Sequence, residues 1–141
     1  MARYSTEGAK QKRKGVAAIE FAMVAPIFIM MMMGIMVYGS WFWLAHSVQS
    51  LAAESARSAI AGLDAGEREL LARAVVAEQA KSLGLDPKLT TAEVINTGTA
   101  FTVNVTYNAT NHPMRALAIL IPKPPALIER SAVVTLGGYR C

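Results

Sequence analysis

The feature that most constrains this chain is a long apolar run with a single acidic side chain inside it. From residue 16 to residue 45 the only strongly polar side chain is Glu20, and Ser40 is a mild interruption. A helix over residues 16–39 would be about 36 Å long, which is enough to cross a hydrocarbon core of about 30 Å. We therefore predict a transmembrane helix. Its carboxylate needs a physical reason, because an acidic group at the bilayer midplane costs about 3 kcal/mol.

The positive charge of the chain is confined to the residues that precede this run. The formal net charge is +4 over 141 residues. Residues 1–15 hold five Lys or Arg and one Glu, whereas residues 16–141 hold nine charges of each sign. The larger part therefore has no basic footprint for binding nucleic acid. Basic residues beside a span hold that end in the cytoplasm, so we predict a cytoplasmic N-terminus and a C-terminus outside the cytoplasm.

Aromatic side chains gather where the apolar run ends. Tyr38, Trp41 and Trp43 lie within six residues of one another, and amphipathic rings favour the membrane–water interface. We predict that they mark the exit of a span over about residues 16–40. The run is longer than the apolar region of a cleavable secretory signal, which has about 7 to 15 residues. Removal by an ordinary signal peptidase is therefore not expected.

Helical periodicity continues beyond the predicted span. Apolar or small side chains recur at spacings of three or four, which is typical of a helix with one buried face. They are Leu44, Val48, Leu51, Ser55, Ala59 and Leu63. We predict one long helix over residues 16–62, half in lipid and half in water, that ends at Gly62.

A second helix is predicted after a short turn. Asp64 followed by Glu67 is a capping-box pattern for a helix start. Gly84 and Pro87 supply the stop signal. The predicted apolar stripe of this helix comprises Leu70, Leu71, Ala74, Val75 and Leu83.

Beyond Pro87 the hydrophobic period changes to two, which predicts a sheet. Phe101, Val103, Val105 and Tyr107 alternate with Thr and Asn, as in a half-buried antiparallel strand. Residues 91–95 are the expected hairpin partner, and residues 131–136 the expected last strand. Residues 116–121 lie between prolines and fit either a helical turn or a strand. The predicted fold class is α+β: a long N-terminal transmembrane helix that extends into a small outer domain with a second helix and a short antiparallel sheet.

No pattern in the sequence indicates catalysis or metal binding. Cys141 is the only cysteine, so an intrachain disulfide is excluded and the thiol is either free or paired with another chain. His46 and His112 have no carboxylate, histidine or thiol at ligand spacing. Residues 30–33 are four consecutive methionines, which point around the whole helix and indicate apolar packing. We expect no enzymatic activity, cofactor, metal or small-molecule substrate.

Several of these features occur together in a known pattern. The basic leader ends in Gly15, the string Val16-Ala17-Ala18-Ile19-Glu20-Phe21-Ala22 follows, and Pro26 lies inside the apolar run. The extended helix then carries Ala52, Ala53, Ala56, Arg57 and Ala59. In this combination, residues 10–62 resemble the type IV pilin family, most closely the TadE-like pseudopilins of tight-adherence (Flp-type) pilus systems.

The resemblance implies a function in pilus assembly. A membrane aspartyl prepilin peptidase would cut between Gly15 and Val16, Glu20 would support assembly of subunits through their N-terminal helices, and Phe21 is the aromatic beside it. Other implied partners are pilin or pseudopilin subunits, assembly platform proteins and membrane lipid. The chain would then be a minor pilin or pseudopilin, linked to adhesion and biofilm formation, with a pilin-like fold.

The resemblance also implies where the protein resides and how it is divided. It would cross the bacterial inner membrane once, with a cytoplasmic N-terminus and a periplasmic C-terminus, and incorporation in a surface pilus stays open. The predicted division is a leader over residues 1–15, a long helix over residues 16–62 and a periplasmic α+β domain over residues 63–141.

The cut would give Glu20 a reason to be in the span. It would create a positive amine on Val16, one helical turn from the carboxylate of its own or a neighbouring chain. The alternative is a carboxylate about 6 Å into the span that reaches the interface without a partner. The chain would then be an uncleaved single-span inner-membrane protein whose outer domain binds an envelope partner.

Overall fold

The structure is a computed structural model that describes residues 7–137. Within these residues the chain forms three α-helices and one three-stranded antiparallel sheet. The predicted α+β arrangement, with a long N-terminal helix and a further helix beside a small sheet, is confirmed. Residues 1–6 of the leader and Cys141, whose thiol is predicted to be free or paired with another chain, lie outside the described residues.

Helix α1, Glu7–Ala59, contains 53 residues and includes the whole apolar run. It begins earlier than the predicted residue 16 and ends three residues before Gly62. Its apolar and alanine-rich sequence consists largely of good helix formers, which explains the unbroken length. The helix continues through Pro26. The proline therefore does not interrupt the element.

A tight turn ends α1 because the next helix packs close to it. The N–H groups of Ile60, Ala61 and Gly62 donate to carbonyls three residues earlier, as in a 3₁₀ turn. A Cβ atom at Gly62 would lie 2.7 Å from the backbone nitrogen of Arg68, which is too close for any larger residue. Gly62 is therefore required by close packing, since its φ angle is not positive.

Helix α2, Ala65–Gln79, starts with the predicted capping box. Asp64 Oδ1 accepts a hydrogen bond from the N–H of Glu67 at 2.8 Å. Glu67 Oε2 accepts one from the N–H of Leu63, also at 2.8 Å. In a usual capping box the Glu side chain accepts from the N–H of the N-cap residue itself. Here Glu67 accepts from Leu63, the residue before the N-cap Asp64. Each such cap stabilises a helix by about 1 kcal/mol.

The apolar stripe predicted for α2 is partly wrong. Leu70 is 70% exposed and Ala74 is exposed, whereas the side chains that enter the core are Ala72, Val76 and, just beyond the helix, Ala80. Val75 and Leu83 from the predicted stripe do pack against the core. The buried face of α2 is rich in small residues because α2 contacts both α1 and strand β1, Thr90–Asn96, at short range.

The sheet has the strand order β1-β2-β3, with both pairs antiparallel. Strand β2, Ala100–Asn108, lies in the centre, and β1 forms the predicted hairpin with it. Strand β3, Leu127–Thr135, begins four residues earlier than predicted and forms the opposite edge. Gly98, with φ of +87°, allows the hairpin turn.

The core lies between one face of the sheet and the second half of α1. Phe101, Val103, Val105 and Tyr107 of β2 all face it, which confirms the predicted alternation. Fully burying an apolar side chain of this size contributes about 1.5 to 3 kcal/mol, so this strand alone is a large fraction of the driving force. Burial raises the pKa of Tyr107, with a smaller opposing effect of backbone hydrogen bonding from Asp86, so its phenol stays neutral at physiological pH.

The connection between β2 and β3 is mostly irregular. It contains a short helix α3, Pro113–Ala116, and residues 117–121 after it are turns. Of the two alternatives left by the sequence for residues 116–121, the strand is therefore wrong. His112 caps α3 by accepting a hydrogen bond from the N–H of Met114 at 3.4 Å. This segment lies against α1.

Gly84 connects the outer domain to the aromatic cluster of α1. It has φ of +74° and ends the 3₁₀ turn Lys81–Leu83 that follows α2. A Cβ atom at this position would lie 2.5 Å from Cη2 of Trp43, so the indole ring covers the glycine. The position thus requires glycine for two reasons, its backbone conformation and the ring above it.

We predict that Gly84→Ala destabilises the protein more than Gly98→Ala. Both changes place a side chain at positive φ and cost about 1 kcal/mol for that reason. Only the first also drives a methyl group into the Trp43 ring, and such overpacking adds about 1 to 3 kcal/mol. Gly98 is the matched control because a Cβ atom there would meet no other atom within 4 Å. Urea unfolding of the detergent-solubilised chain measures both, and equal losses would exclude the indole contact.

Candidate functional site on the long helix

The predicted cleavage position lies inside a continuous helix. Gly15 and Val16 are both exposed, and no neighbouring atom lies within 4 Å of where a Cβ of Gly15 would be. A protease must take its substrate in an extended form, so the helix has to open locally at this point. Glycine lowers the cost of opening, since it is less favourable in a helix than alanine by about 1 kcal/mol.

The helix places Val16 and Glu20 on one face. Residues four apart in an α-helix have Cβ atoms about 5 to 6 Å apart. Glu20 is exposed, and Phe21 beside it is 73% exposed. The outer domain begins far along the helix from this face, so a charged partner for Glu20 must come from the start of its own helix or from another molecule.

The rest of the chain begins to cover one face of α1 at Val37, whereas Phe42 and Trp43 on other faces stay 63% and 55% exposed. Large apolar side chains from Val16 to Met36 are exposed or only partly covered, whereas Val37 is 1% exposed. Residues 16–36 would extend about 32 Å along a helix axis, which equals the thickness of a bilayer core. Within Gly15–Ala59 an 18-residue stretch has a mean hydropathy of 2.2, so by length and composition this helix could span a membrane.

Tyr38 and Trp41 connect α1 to the irregular segment after α3. Tyr38 Oη donates a hydrogen bond to the carbonyl of Pro122 at 3.0 Å. Trp41 Nε1 donates to the carbonyl of Pro125, also at 3.0 Å. Proline carbonyls that lack a strand partner need such donors. The predicted membrane-interface position of these rings stays a prediction, and the structure adds a contact that the sequence did not indicate.

Several further residues complete this contact. Arg115 Nη1 donates to the carbonyl of Pro124, so three carbonyls of this proline-rich segment have side-chain partners. Val37, Ser40 and Leu44 of α1 line the space opposite. We name the residues 109–126 the proline loop. The position of the proline loop was not predicted, since its only signal in the sequence is a cluster of prolines after an apolar stretch.

The histidines and acidic residues do not form a site in the described part of the chain. His46 is exposed, and His112 is used as the cap of α3. Among the side chains of residues 15–137 no three His, Asp or Glu lie together as a metal-binding group. The one ion pair within this range joins Glu69 and Arg73 on the surface of α2.

Together these features define a protein with a single exposed apolar helix, long enough to cross a membrane, whose second half is the centre of a small α+β domain. Residues 15–57 match the family model described as TadE-like protein. The chain is therefore similar to TadE-like proteins over this segment, which starts at Gly15 and ends near the end of α1. No curated protein and no solved structure matches the chain.

The match confirms the resemblance for the long helix and leaves residues 58–141 outside it. It supports involvement in a tight-adherence pilus system and interaction with pilus components. The membrane-spanning capacity of α1 is in agreement with a membrane-anchored pilus protein.

We predict that Tyr38→Phe loosens the proline loop without unfolding the domain. The change removes the hydrogen bond to the Pro122 carbonyl, which contributes about 1 kcal/mol. Hydrogen exchange measured by mass spectrometry should become faster at the amides of residues 117–121 and stay unchanged in β2. Thr97→Val serves as a control, because it removes a hydroxyl that donates to the Ala100 carbonyl at the opposite end of β2 from the loop. Unchanged exchange at residues 117–121 would show that Tyr38 does not hold them.

Proposed function

We propose that this chain is a minor pilin or pseudopilin subunit that takes part in assembly of a tight-adherence type IV pilus. A prepilin peptidase would mature it by cutting between Gly15 and Val16. The observation that carries the proposal is the TadE-like match, which begins at Gly15 and covers the exposed part of α1. The proposed role is structural, since the sequence has no catalytic constellation.

The proposed location follows from charge and hydropathy. The leader holds the whole positive excess of the chain, so it would stay in the cytoplasm while the outer domain lies in the periplasm. The bilayer in question would be the bacterial inner membrane, where the peptidase would meet its substrate. Cutting would remove five basic side chains and leave a mature chain with balanced side-chain charge.

The exposed helix provides the surface for assembly. Only 6% of the most apolar 18-residue stretch of α1 is buried by the rest of the chain. Lipid would cover this surface before assembly, and the helices of neighbouring subunits would cover it afterwards. Ala18 and Ala22 lie one turn apart, and a pair of small residues allows a close approach of two helices.

Glu20 would act through its charge. In lipid an unpaired carboxylate is costly, and a cationic amine within a few Å restores the balance. The Val16 amine exists only after the cut, so maturation would change Glu20 from an isolated acid into one half of an ion pair. Phe21 would shield this pair from water, because its ring is exposed next to it.

We predict that Gly15→Val blocks maturation when the chain is expressed with an active prepilin peptidase. A branched side chain at the cleavage point hinders opening of the helix and entry into a peptidase site. Gly34→Val is the matched control, because Gly34 also lies in α1 and meets no neighbour within 4 Å. Intact mass and N-terminal sequencing check the result. An uncut native chain in cells with an active peptidase would refute the proposal and favour the uncleaved anchor.

We predict that Glu20→Gln leaves insertion and cutting intact but abolishes piliation, because glutamine keeps the shape and loses the charge. Sheared surface pili and subunit cross-linking measure the effect. A double-mutant cycle with Gly15→Val isolates the amine: Glu20→Gln should reduce cross-linking in the cut chain and change nothing in the uncut chain. Normal pili with Glu20→Gln, or an equal loss in the uncut chain, would rule out pairing with the new amine.

A further inference from the structure

The proline loop exposes a group of large apolar side chains that the outer domain does not cover. Leu117, Ile119 and Leu120 are 42%, 80% and 63% exposed, although Ala118 between them is 2% exposed. Ala118 thus anchors the turn while its neighbours point away from the core. Three exposed aliphatic side chains at one turn form an apolar tip, residues 117–121, on a small domain.

The hydrogen bonds to α1 show which way this tip extends. Pro125 is bonded to Trp41, and Pro122 is bonded to Tyr38. Pro122 precedes Pro125 by three residues, and its partner Tyr38 precedes Trp41 by three residues, which is about 4.5 Å along the helix. This part of the loop therefore runs in the same direction as α1, with its earlier residues nearer the N-terminus of α1. Residues 117–121 come before Pro122 at this end of the loop. The apolar tip therefore adjoins the bond between Pro122 and Tyr38, and Tyr38 directly follows the exposed apolar residues 16–36 and Val37 in α1.

The charges around the tip fit a phospholipid surface. Between Glu93 and Glu129 the chain has no acidic residue, and its two formal charges there are Arg115 and Lys123. They flank the tip on either side, and Lys123 is exposed. Basic side chains at the edge of an inserted apolar group attract lipid phosphates, at about 1 kcal/mol per side chain near an anionic surface.

We propose that residues 117–121 insert into the outer leaflet of the same bilayer that α1 crosses, as a second and shallow membrane contact. The occupant of this apolar surface is lipid. The tip adjoins Pro122, which is bonded to Tyr38 near the end of the exposed apolar stretch of α1, so a bilayer around residues 16–36 would bring lipid close to it. The proposal rests on membrane insertion of α1, but not on cleavage after Gly15 or on pilus assembly.

The insertion would fix the outer domain relative to the membrane. A single helix allows the domain to tilt and rotate, whereas a second contact beside the helix resists both motions. The bonds from Tyr38 and Trp41 hold the loop against α1, so the two contacts act as one rigid unit.

A depth measurement on the full chain tests this inference. Cys141→Ser removes the only native thiol, and Ile119→Cys then carries an environment-sensitive fluorophore. The protein is placed in vesicles of phosphatidylethanolamine and phosphatidylglycerol that contain lipids with a nitroxide near the headgroup. We expect blue-shifted emission and strong quenching at residue 119. Phe28→Cys is the positive control within the span, and Ser131→Cys, exposed on β3, is the control for the aqueous face.

The outcomes separate lipid from other occupants. A label at residue 119 that behaves like the label at Ser131 would overturn the inference, and so would failure of the Phe28 label to enter lipid. A blue shift of the label at residue 119 that increases with the protein-to-lipid ratio would assign the tip to a second copy of the chain instead. As a further check, the pair Ile119→Asp and Leu120→Asp should abolish quenching of a label at Leu117→Cys, while circular dichroism shows an intact fold.

Discussion

The packing of the second half of α1 against the sheet is the interaction on which the rest of the structure depends. Leu44, Val48 and Leu51 of α1 share one core with the inward face of β2. The described segment after residue 62 has the helices α2 and α3 and three strands, and one face of the sheet would be exposed without α1. Because small domains bury a limited fraction of their surface, removing one wall of this core would leave little to stabilise the remainder.

This packing makes the membrane helix and the outer domain one mechanical unit. The same helix is exposed through residues 16–36 and is buried from Val37 onward on its domain-facing side. No linker separates the two halves, since α1 is continuous from Glu7 to Ala59. A rotation or shift of the helix in the membrane must therefore move the sheet with it. The orientation of the domain is thus set by the orientation of the helix.

The sequence predicted the elements whose signals are local. The alternation in β2, the cap formed by Asp64 and the one long helix required only neighbouring residues, and each is present. The five positions predicted on one stripe from Leu44 to Ala59 are all buried, whereas Leu63, predicted on the same stripe, is 90% exposed. Beyond the end of a helix the periodic pattern no longer determines which side chain is buried.

The features that were missed depend on contacts between distant parts of the chain. Leucines gave α2 its predicted stripe, yet close packing selected alanines for the buried face, and alanine carries little periodic signal. Tyr38 and Pro122 are 84 residues apart, and the proline loop has no period that would place it beside α1. The burial of Val37 depends on the same contact with the proline loop. In each case tertiary packing decided between alternatives that local propensity left equal.

The division of α1 also bears on how subunits could recognise each other through it. An aliphatic surface in lipid provides little directional preference, because lipid tails are as apolar as the side chains they replace. Many relative positions of two such helices would have similar free energies. Glu20 is the only strongly polar side chain in the span, so an ion pair with the amine of an adjacent Val16 would be favourable at one register and costly at others. The apolar residues would thus supply the contact area, and the single carboxylate would supply the register.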